Sequence, residues 1–290
     1  MQQFLNYTLI GIVLGVVFAA FALTLVLIFR ATRIINFGQG AMAMFSTYIG
    51  LQVIEAGYSY WLALVAALVS GFVIGGIVER VIIRPVENGP ELNAVIVTLG
   101  LFVGFIALAS ILFGNTFTGF PGAFSVRGFE SVAITPNDIY KLVAVVIAMT
   151  LLLALFRFTD LGLQMRAAAF GQETARLLGV KVGQLLTLGW ALAGLFGGLA
   201  AILIASGAPI SPNYMDAVVV FGFVAAVLGG LDSFIGAVVG GLVLGLTNTY
   251  VSGYVQDGSA LVTLAALAIL VAVLLLRPQG LFSSSVARKV

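Results

Sequence analysis

The sequence predicts an all-α polytopic membrane protein, a single transmembrane domain over residues 1–290 with eight or nine transmembrane helices. Three observations predict it. Hydrophobic residues make up 61% of the 290-residue chain and charged residues 8%, with a mean hydropathy of +1.19, whereas soluble domains carry about 25% charged residues. Apolar runs recur at close to the roughly 20 residues a helix needs to cross the hydrocarbon layer. The polar residues collect in short connections and in one larger stretch, 160–182.

The first run, MQQFLNYTLIGIVLGVVFAAFALTLVLIF, has no basic residue before Arg30. At about 25 apolar positions it is too long for a signal-peptide core and reads as a retained span. Arg30 and Arg33 follow it, which sets its start outside, because loops rich in Lys and Arg stay cytoplasmic. A second span runs over about 34–54 and a third over 61–78. The connection ERVIIRPVENGPE carries Arg80 and Arg84 and is therefore inside. A fourth span covers about 92–113. The extracytoplasmic loop 114–138 follows, where glycines, Pro121 and the partly alternating SVRGFESVAIT predict a small hairpin. Pro136, Asn137 and Asp138 make a helix start for the fifth span, which ends near Phe158.

The loop 160–182, DLGLQMRAAAFGQETARLLGVKV, holds Arg166, Arg176 and Lys181 beside Asp160 and Glu173, with Arg157 just before it. Its positive excess makes it cytoplasmic. Within it, ETARLLG at 173–179 forms two helical turns that Gly179 can end in a left-handed cap. Glu173 suits the positive end of that dipole, and Leu177 with Leu178 supplies an apolar face. Such a helix either lies on lipid headgroups or seats in a groove of a soluble partner.

A sixth span covers about 185–205, and SGAPISPNYMD is an outer loop. Some 36 apolar positions at 217–252 exceed one helix and are interrupted by GGLD at 229–232; two spans, or one span with a re-entrant half-helix, both fit. The last span covers about 261–276. Arg277, Arg288 and Lys289 then hold the C-terminus on the cytoplasmic side.

Polar residues at membrane depth are costly unless they find partners or line a cavity. Asn36 and Gln39, with Gly38 and Gly40, stand in IINFGQG and either unwind the helix start beside a central path or simply cap the second helix. Asp232 is the one carboxylate in the 217–252 run; it lines the path, or it sits in a cytoplasmic turn, for which GGLDS is also a plain signal. The GxxxG pairs at 11/15, 71/75, 100/104, 194/198, 236/240 and 241/245 permit close helix contact.

The chain has no Cys and no His, which excludes thiol catalysis, disulfides and most transition-metal sites. No GxxxxGK[ST] loop is present, so the chain neither binds nor splits a nucleotide by that device. A net charge of +2 spread over short loops forms no nucleic-acid-binding stripe. Proton-coupled transport needs ionisable groups at membrane depth, and the acids here fall at span ends. An energy supply from outside the chain is therefore favoured, in agreement with a docking helix at 173–179.

Glu173, Ala175 and Gly179 resemble the EAA loop of ABC-transporter permeases. Thr174 departs from its middle Ala, and the later apolar and Pro positions are not met. Further stretches, ALTLVLIFRATRIINFGQGAMAMF at 22–45, ERVIIRP at 79–85, GLQMRAAAFGQETARLLGVKV at 162–182, GGLDSFIGAVVGG at 229–241 and LRPQGLF at 276–282, resemble branched-chain amino acid ABC-transporter permeases from about 18 to 282. Relatives commonly show INFAHG where this chain has Gly38 and Gln39.

The resemblance implies the non-enzymatic permease subunit of an importer in the inner membrane. It implies a second permease, two cytoplasmic ATPase subunits that bind the ATP, and an extracytoplasmic substrate-binding protein as partners. Arg166, Glu173, Ala175, Arg176 and Gly179 would couple to the ATPases, while Asn36, Gly38, Gln39, Gly40 and Asp232 would line the path. The substrates implied are leucine, isoleucine and valine, or other small neutral amino acids. A self-contained facilitator for a small solute such as urea or an amide remains open, as does a non-transporting scaffold that recruits a soluble protein.

Overall fold

The computed structural model describes residues 1–87, 89–124 and 134–282. In chain order the elements are α1 (Gln2–Thr32), α2 (Gln39–Glu55), α3 (Tyr60–Ile77) continued by a π-helical segment (Val78–Ile83), α4 (Glu91–Phe113), β1 (Thr118–Gly119), α5 (Pro136–Phe158), α6 (Asp160–Phe170), α7 (Gln172–Leu177), α8 (Val182–Ala205), β2 (Pro209–Ile210), α9 (Asp216–Gly229), α10 (Phe234–Tyr254) and α11 (Gly258–Leu276). Seven helices are long and apolar enough to cross a membrane: α1, α3 with its π continuation, α4, α5, α8, α10 and α11. The eight or nine spans read from the sequence are an approximate count: α2, with 17 residues, and α9, with 14, are shorter than these seven. The chain is a multi-pass membrane protein.

The long apolar run at 217–252 divides unequally. α9 has 14 residues, about 21 Å at 1.5 Å per residue, which falls short of a bilayer core about 30 Å thick. Gly230, with φ 101°, turns the chain into a full-length α10. α9 is the half-helix, and its apolar character without sufficient length is what made the run ambiguous.

α1 lies at the centre, with residues such as Phe21, Val26, Leu27 and Ile28 fully buried. It reaches α10 through Gly11 and Gly15 set against Gly241 and Gly245; an added methyl would overlap the facing backbone at Gly15, Gly241 and Gly245 and press tightly on Leu246 at Gly11. Gly71 and Gly75 do the same for α3 against Gly194 and Trp190 of α8. Without side chains the helix axes approach closely, which in lipid is the main source of association energy. Gly100 and Gly104 of α4 differ: nothing lies within 4 Å of either added methyl. α4 and α11 turn most of their surface outward.

Two ends of the bundle are distinct. At one end Arg33 of α1 meets Asp232 of the α9–α10 turn, Arg84 meets the start of α8, and Leu281 and Phe282 bond back to Leu228 and Gly229. Every described Lys and Arg except Lys141 belongs to a segment at this basic end. At the other end β1 pairs antiparallel with β2, Thr118 opposite Ile210 and Gly119 opposite Pro209. There α5 begins at Pro136, where the sequence placed a helix start, in a capping box between Thr135 and Asp138 that the sequence reading did not name.

The hairpin expected within 114–138 takes a different form among the described residues. β1 pairs across to the loop after α8, not within its own loop. Two-residue strands carry too little alternation to identify their partner. Residues 125–133, on which most of SVRGFESVAIT falls, lie outside the described residues, as do Arg288 and Lys289.

Candidate functional site

The break between α1 and α2 is where buried polar groups gather. α1 ends at Arg33, held at φ 60° with its N–H on the Phe29 carbonyl, a left-handed conformation uncommon for a side chain of this size. The chain then runs without helix to Gly38 and restarts at Gln39. Asn36 Oδ1 accepts from the Gly38 N–H at 3.0 Å, and its Nδ2 donates to Gln39 Oε1 at 3.0 Å. Gln39 Nε2 in turn donates to the Ala193 carbonyl of α8 at 2.9 Å. Asn36 is 1% exposed and Gln39 0%. Asn36 thus forms an Asx turn before α2 and lends its amide to a second partner, while Gly38, with no side-chain cap, holds the N-cap position of α2.

The flanking glycines fit this restart between its neighbours. A methyl on Gly40 would strike Val219 of α9, and one on Gly38 would press on Leu101 and the Thr98 carbonyl of α4. Gly197 of α8 leaves the room into which Gln39 Nε2 reaches. The two short helices, α2 and α9, therefore touch where Gly40 meets Val219.

Asp232 does not join this group. It sits in the α9–α10 turn, where both its oxygens accept from Arg33 Nη1, at 2.8 and 3.0 Å. The pair is part-exposed, 54% for Arg33 and 36% for Asp232. Arg30, one turn earlier, stacks its guanidinium over Phe234 at 4.7 Å and Phe156 at 5.5 Å. Asp232 is thus a turn carboxylate that fastens the end of α1 to the start of α10.

The polar loop 160–182 contains two helices, α6 and α7, of which only the second was legible in the sequence. Thr159 is extended and its Oγ1 accepts the Gly162 N–H, so α6 starts afresh at an angle to α5. Gly162 allows α6 to rest on the backbone of Leu155 and Phe156. α7 follows after Gly171. Its C-terminus closes as the glycine predicted: the Gly179 N–H reaches the Arg176 carbonyl and the Val180 N–H the Ala175 carbonyl, both at 3.0 Å, with Gly179 at φ 82°. This is a Schellman closure. Ala175 is buried beneath the helix, whereas Glu173 and Arg176 are exposed and Arg166, on α6, is half-buried. Leu177 and Leu178 are 89% and 77% exposed.

One group escaped sequence reasoning. Glu79, placed in a loop by its position after an apolar run, is fully buried in the π segment. Arg84 Nε and Nη2 donate to its Oε1 at 3.2 and 3.1 Å, and Thr187 Oγ1 donates to its Oε2 at 2.6 Å. Arg84 Nη2 also donates to the Gly183 carbonyl at 2.6 Å. The signal available was ERVIIRP itself, a carboxylate and an arginine five residues apart, which face each other when the turn is wide enough for the Arg84 N–H to reach the Glu79 carbonyl.

Comparison with known proteins bears directly on this arrangement. Residues 7–276 match the family model described as branched-chain amino acid transport system / permease component. The chain is 28% identical over 306 aligned residues to the high-affinity branched-chain amino acid transport system permease protein LivH of Escherichia coli (strain K12), covering 100% of this chain and 97% of that protein. It is 27% identical to the corresponding permease protein BraD of Pseudomonas aeruginosa, over 100% and 98%. It is 25% identical to a probable LivH of Methanocaldococcus jannaschii, over 90% and 86%.

Two solved structures share the fold at low identity. An inward-facing putative metal-chelate type ABC transporter is 18% identical with a TM-score of 0.54, covering 93% of this chain and 85% of that one. PsaBC from Streptococcus pneumoniae is 13% identical with a TM-score of 0.50, over 94% and 91%. Match length, near-complete coverage of the relatives and the helical architecture agree: the chain belongs to the family of branched-chain amino acid transport permease components.

Proposed function

We propose that this chain is the permease subunit of an ATP-driven importer in the inner membrane. It passes branched-chain, or other small neutral, amino acids from an extracytoplasmic binding protein to the cytoplasm by alternating access. The chain contributes no catalytic residue. Two cytoplasmic ATPase subunits bind and split ATP, and a second permease completes the path. The basic end faces the cytoplasm, because connections rich in Lys and Arg stay there, and the C-terminus emerges on that side after Arg277.

The observation that carries this reading is α7. A six-residue helix with a closed C-terminus projects adjacent leucines, Leu177 and Leu178, into the surroundings of a polar loop between two spans. Burying a leucine is worth about 1.5–3 kcal/mol, so a matching groove on a soluble partner would stabilise the contact, with Glu173, Arg176 and Arg166 orienting it by charge. Closure of the ATPases would then move α7 and, with it, the spans it joins. Differential contact in the two states is what makes such coupling possible.

The path is assigned to the α1–α2 break, with Asn36, Gly38, Gln39 and Gly40, and its cytoplasmic mouth to the turn bearing Asp232. Two features support this: the short helices α2 and α9 meet there, and discontinuous helices beside unwound backbone are how transporters expose polar groups at membrane depth. An apolar surround with two amides suits a small zwitterion with a hydrophobic side chain.

The test is detergent co-purification of the tagged chain from its host with ATPase assay, for the native chain and for Leu177→Asp/Leu178→Asp. Recovery of two ATP-hydrolysing subunits and a second permease with the native chain, and their loss from the double variant, is expected. Recovery of the native chain alone would overturn the reading.

A further inference from the structure

Glu79 is the only carboxylate fully buried among the described residues, and its partners lie on two elements. The π segment supplies Glu79, Arg84 follows directly after it, and α8 supplies Thr187 and the Gly183 carbonyl from its first turns. α8 is the span entered straight from α7 through Gly179 and Val180. A buried charge is tolerated only when paired and fully hydrogen-bonded, so Glu79 and Arg84 fix the start of α8 to the end of α3 in one geometry. Arg84, 33% exposed, points the chain of charge outward. Glu87, three residues further on, has its carboxyl pushed up by burial and by Glu79, against the opposing fields of Arg84 and of Arg176 on α7.

We infer that Glu79 and Arg84 are positioning residues that transmit displacement of α7 to α3 by clamping the first turn of α8, so that ATP hydrolysis and substrate passage stay linked. The inference rests on the importer reading of α7. A flexible joint at Gly179–Val182 would otherwise absorb the movement of a six-residue helix before it reached a span. A π-helical turn is a wide, less regular turn often found at functional positions in helices, and here it places Glu79 opposite Arg84. Thr187 donates to the far oxygen, and Arg84 takes up the Gly183 carbonyl in the first turn of α8, beside the buried Val182.

A merely structural pair and a positioning pair differ in what repairs them. Replacing both members of a buried pair by apolar residues of similar volume is often neutral or stabilising, whereas removing one is not. Glu79→Leu/Arg84→Met therefore separates the two roles. Arg84→Lys is the companion variant, because lysine keeps the charge but cannot hold Glu79 and the Gly183 carbonyl together in a planar fork.

Both variants are to be purified in the assembled complex and placed in proteoliposomes beside the native complex, with ATP hydrolysis and labelled leucine uptake measured together. The native complex transports and its hydrolysis is stimulated by loaded binding protein; failure of that control overturns the importer reading itself. In both variants assembly and basal hydrolysis are retained, while leucine carried per ATP falls by about tenfold or more. An unchanged ratio in the assembled double variant, or restored transport in it where Arg84→Lys fails, would assign the pair a packing role and overturn the inference.

Discussion

Gln39 on α2 and Ala193 on α8 are joined by a 2.9 Å hydrogen bond from the side-chain amide to the main-chain carbonyl. In a seam where both Asn36 and Gln39 are closed to the outside, that bond is, among the described residues, the direct polar tie from the α1–α2 break to the helix that follows α7. Gln39→Leu keeps the volume and leaves Asn36 Nδ2 without its amide acceptor. Only the Met42 sulfur, a weak acceptor at 3.6 Å, then remains for it, and a buried donor left poorly paired costs about 1–3 kcal/mol. A lowered melting temperature in detergent is expected, and an unchanged one would show the amide pair to be dispensable.

The glycine seams give a comparison within one protein. Gly71→Ala places a methyl on the Gly194 backbone, so α3 and α8 must separate, at a cost of about 1–3 kcal/mol from overpacking. Gly100→Ala meets nothing within 4 Å and gains about 0.5–1 kcal/mol by replacing glycine in a helix. Opposite shifts in thermal stability are expected; equal losses would refute the assignment of α4's face as open.

At Gly179 the demand is conformational. Its φ of 82° and empty surroundings mean that a side chain fits in space but not in backbone. Gly179→Val costs about 1–2 kcal/mol in a left-handed conformation and undoes the closure of α7, so less ATPase should co-purify. Gly179→Asn, which tolerates that region, should keep its partner. ATPase recovery and uptake that survive Gly179→Val unaltered would remove the coupling role from this helix.

Two ion pairs at the basic end should respond very differently. Arg33–Asp232 is part-exposed, and such pairs contribute about 0–1 kcal/mol, so Asp232→Asn should leave thermal stability nearly unchanged. Glu79→Ala strands Arg84 beside α8 and should cost about 3–5 kcal/mol, as for a broken buried pair. The order of the two losses, read by thermal unfolding of the same preparation, is the check.

Glu87 supplies a pH dependence of known sign. Burial and the nearby Glu79 raise its pKa above the ordinary 4.5, so the folded chain binds this proton more tightly than the unfolded one. Its contribution to stability is greatest below that ordinary value and declines as pH rises through the raised one. Glu87→Gln should flatten the fall in melting temperature over that window; a steeper fall would contradict the placement of Glu87 beside Glu79.

Much of this molecule was legible because lipid imposes simple rules. Span positions followed from apolar length, and the start of α5 from Pro136 and Asp138. The closure at Gly179 followed from a glycine at the end of a short helix. What escaped depended on distant partners. α6 was hidden in DLGLQMRAAAF because a short amphipathic helix in a charged loop resembles the loop itself. Glu79 read as a loop acid because Thr187, which helps to bury it, is 108 positions away. β1 was unreadable because its partner, β2, lies beyond α8.

The most direct test is leucine uptake by proteoliposomes holding the chain with its co-purified subunits and loaded binding protein, with ATP or a non-hydrolysable analogue enclosed. Accumulation against a gradient with ATP, and none with the analogue, is the result the account predicts. Equal flux under both conditions, or through the chain purified alone, would make it a facilitator and contradict the role given to α7.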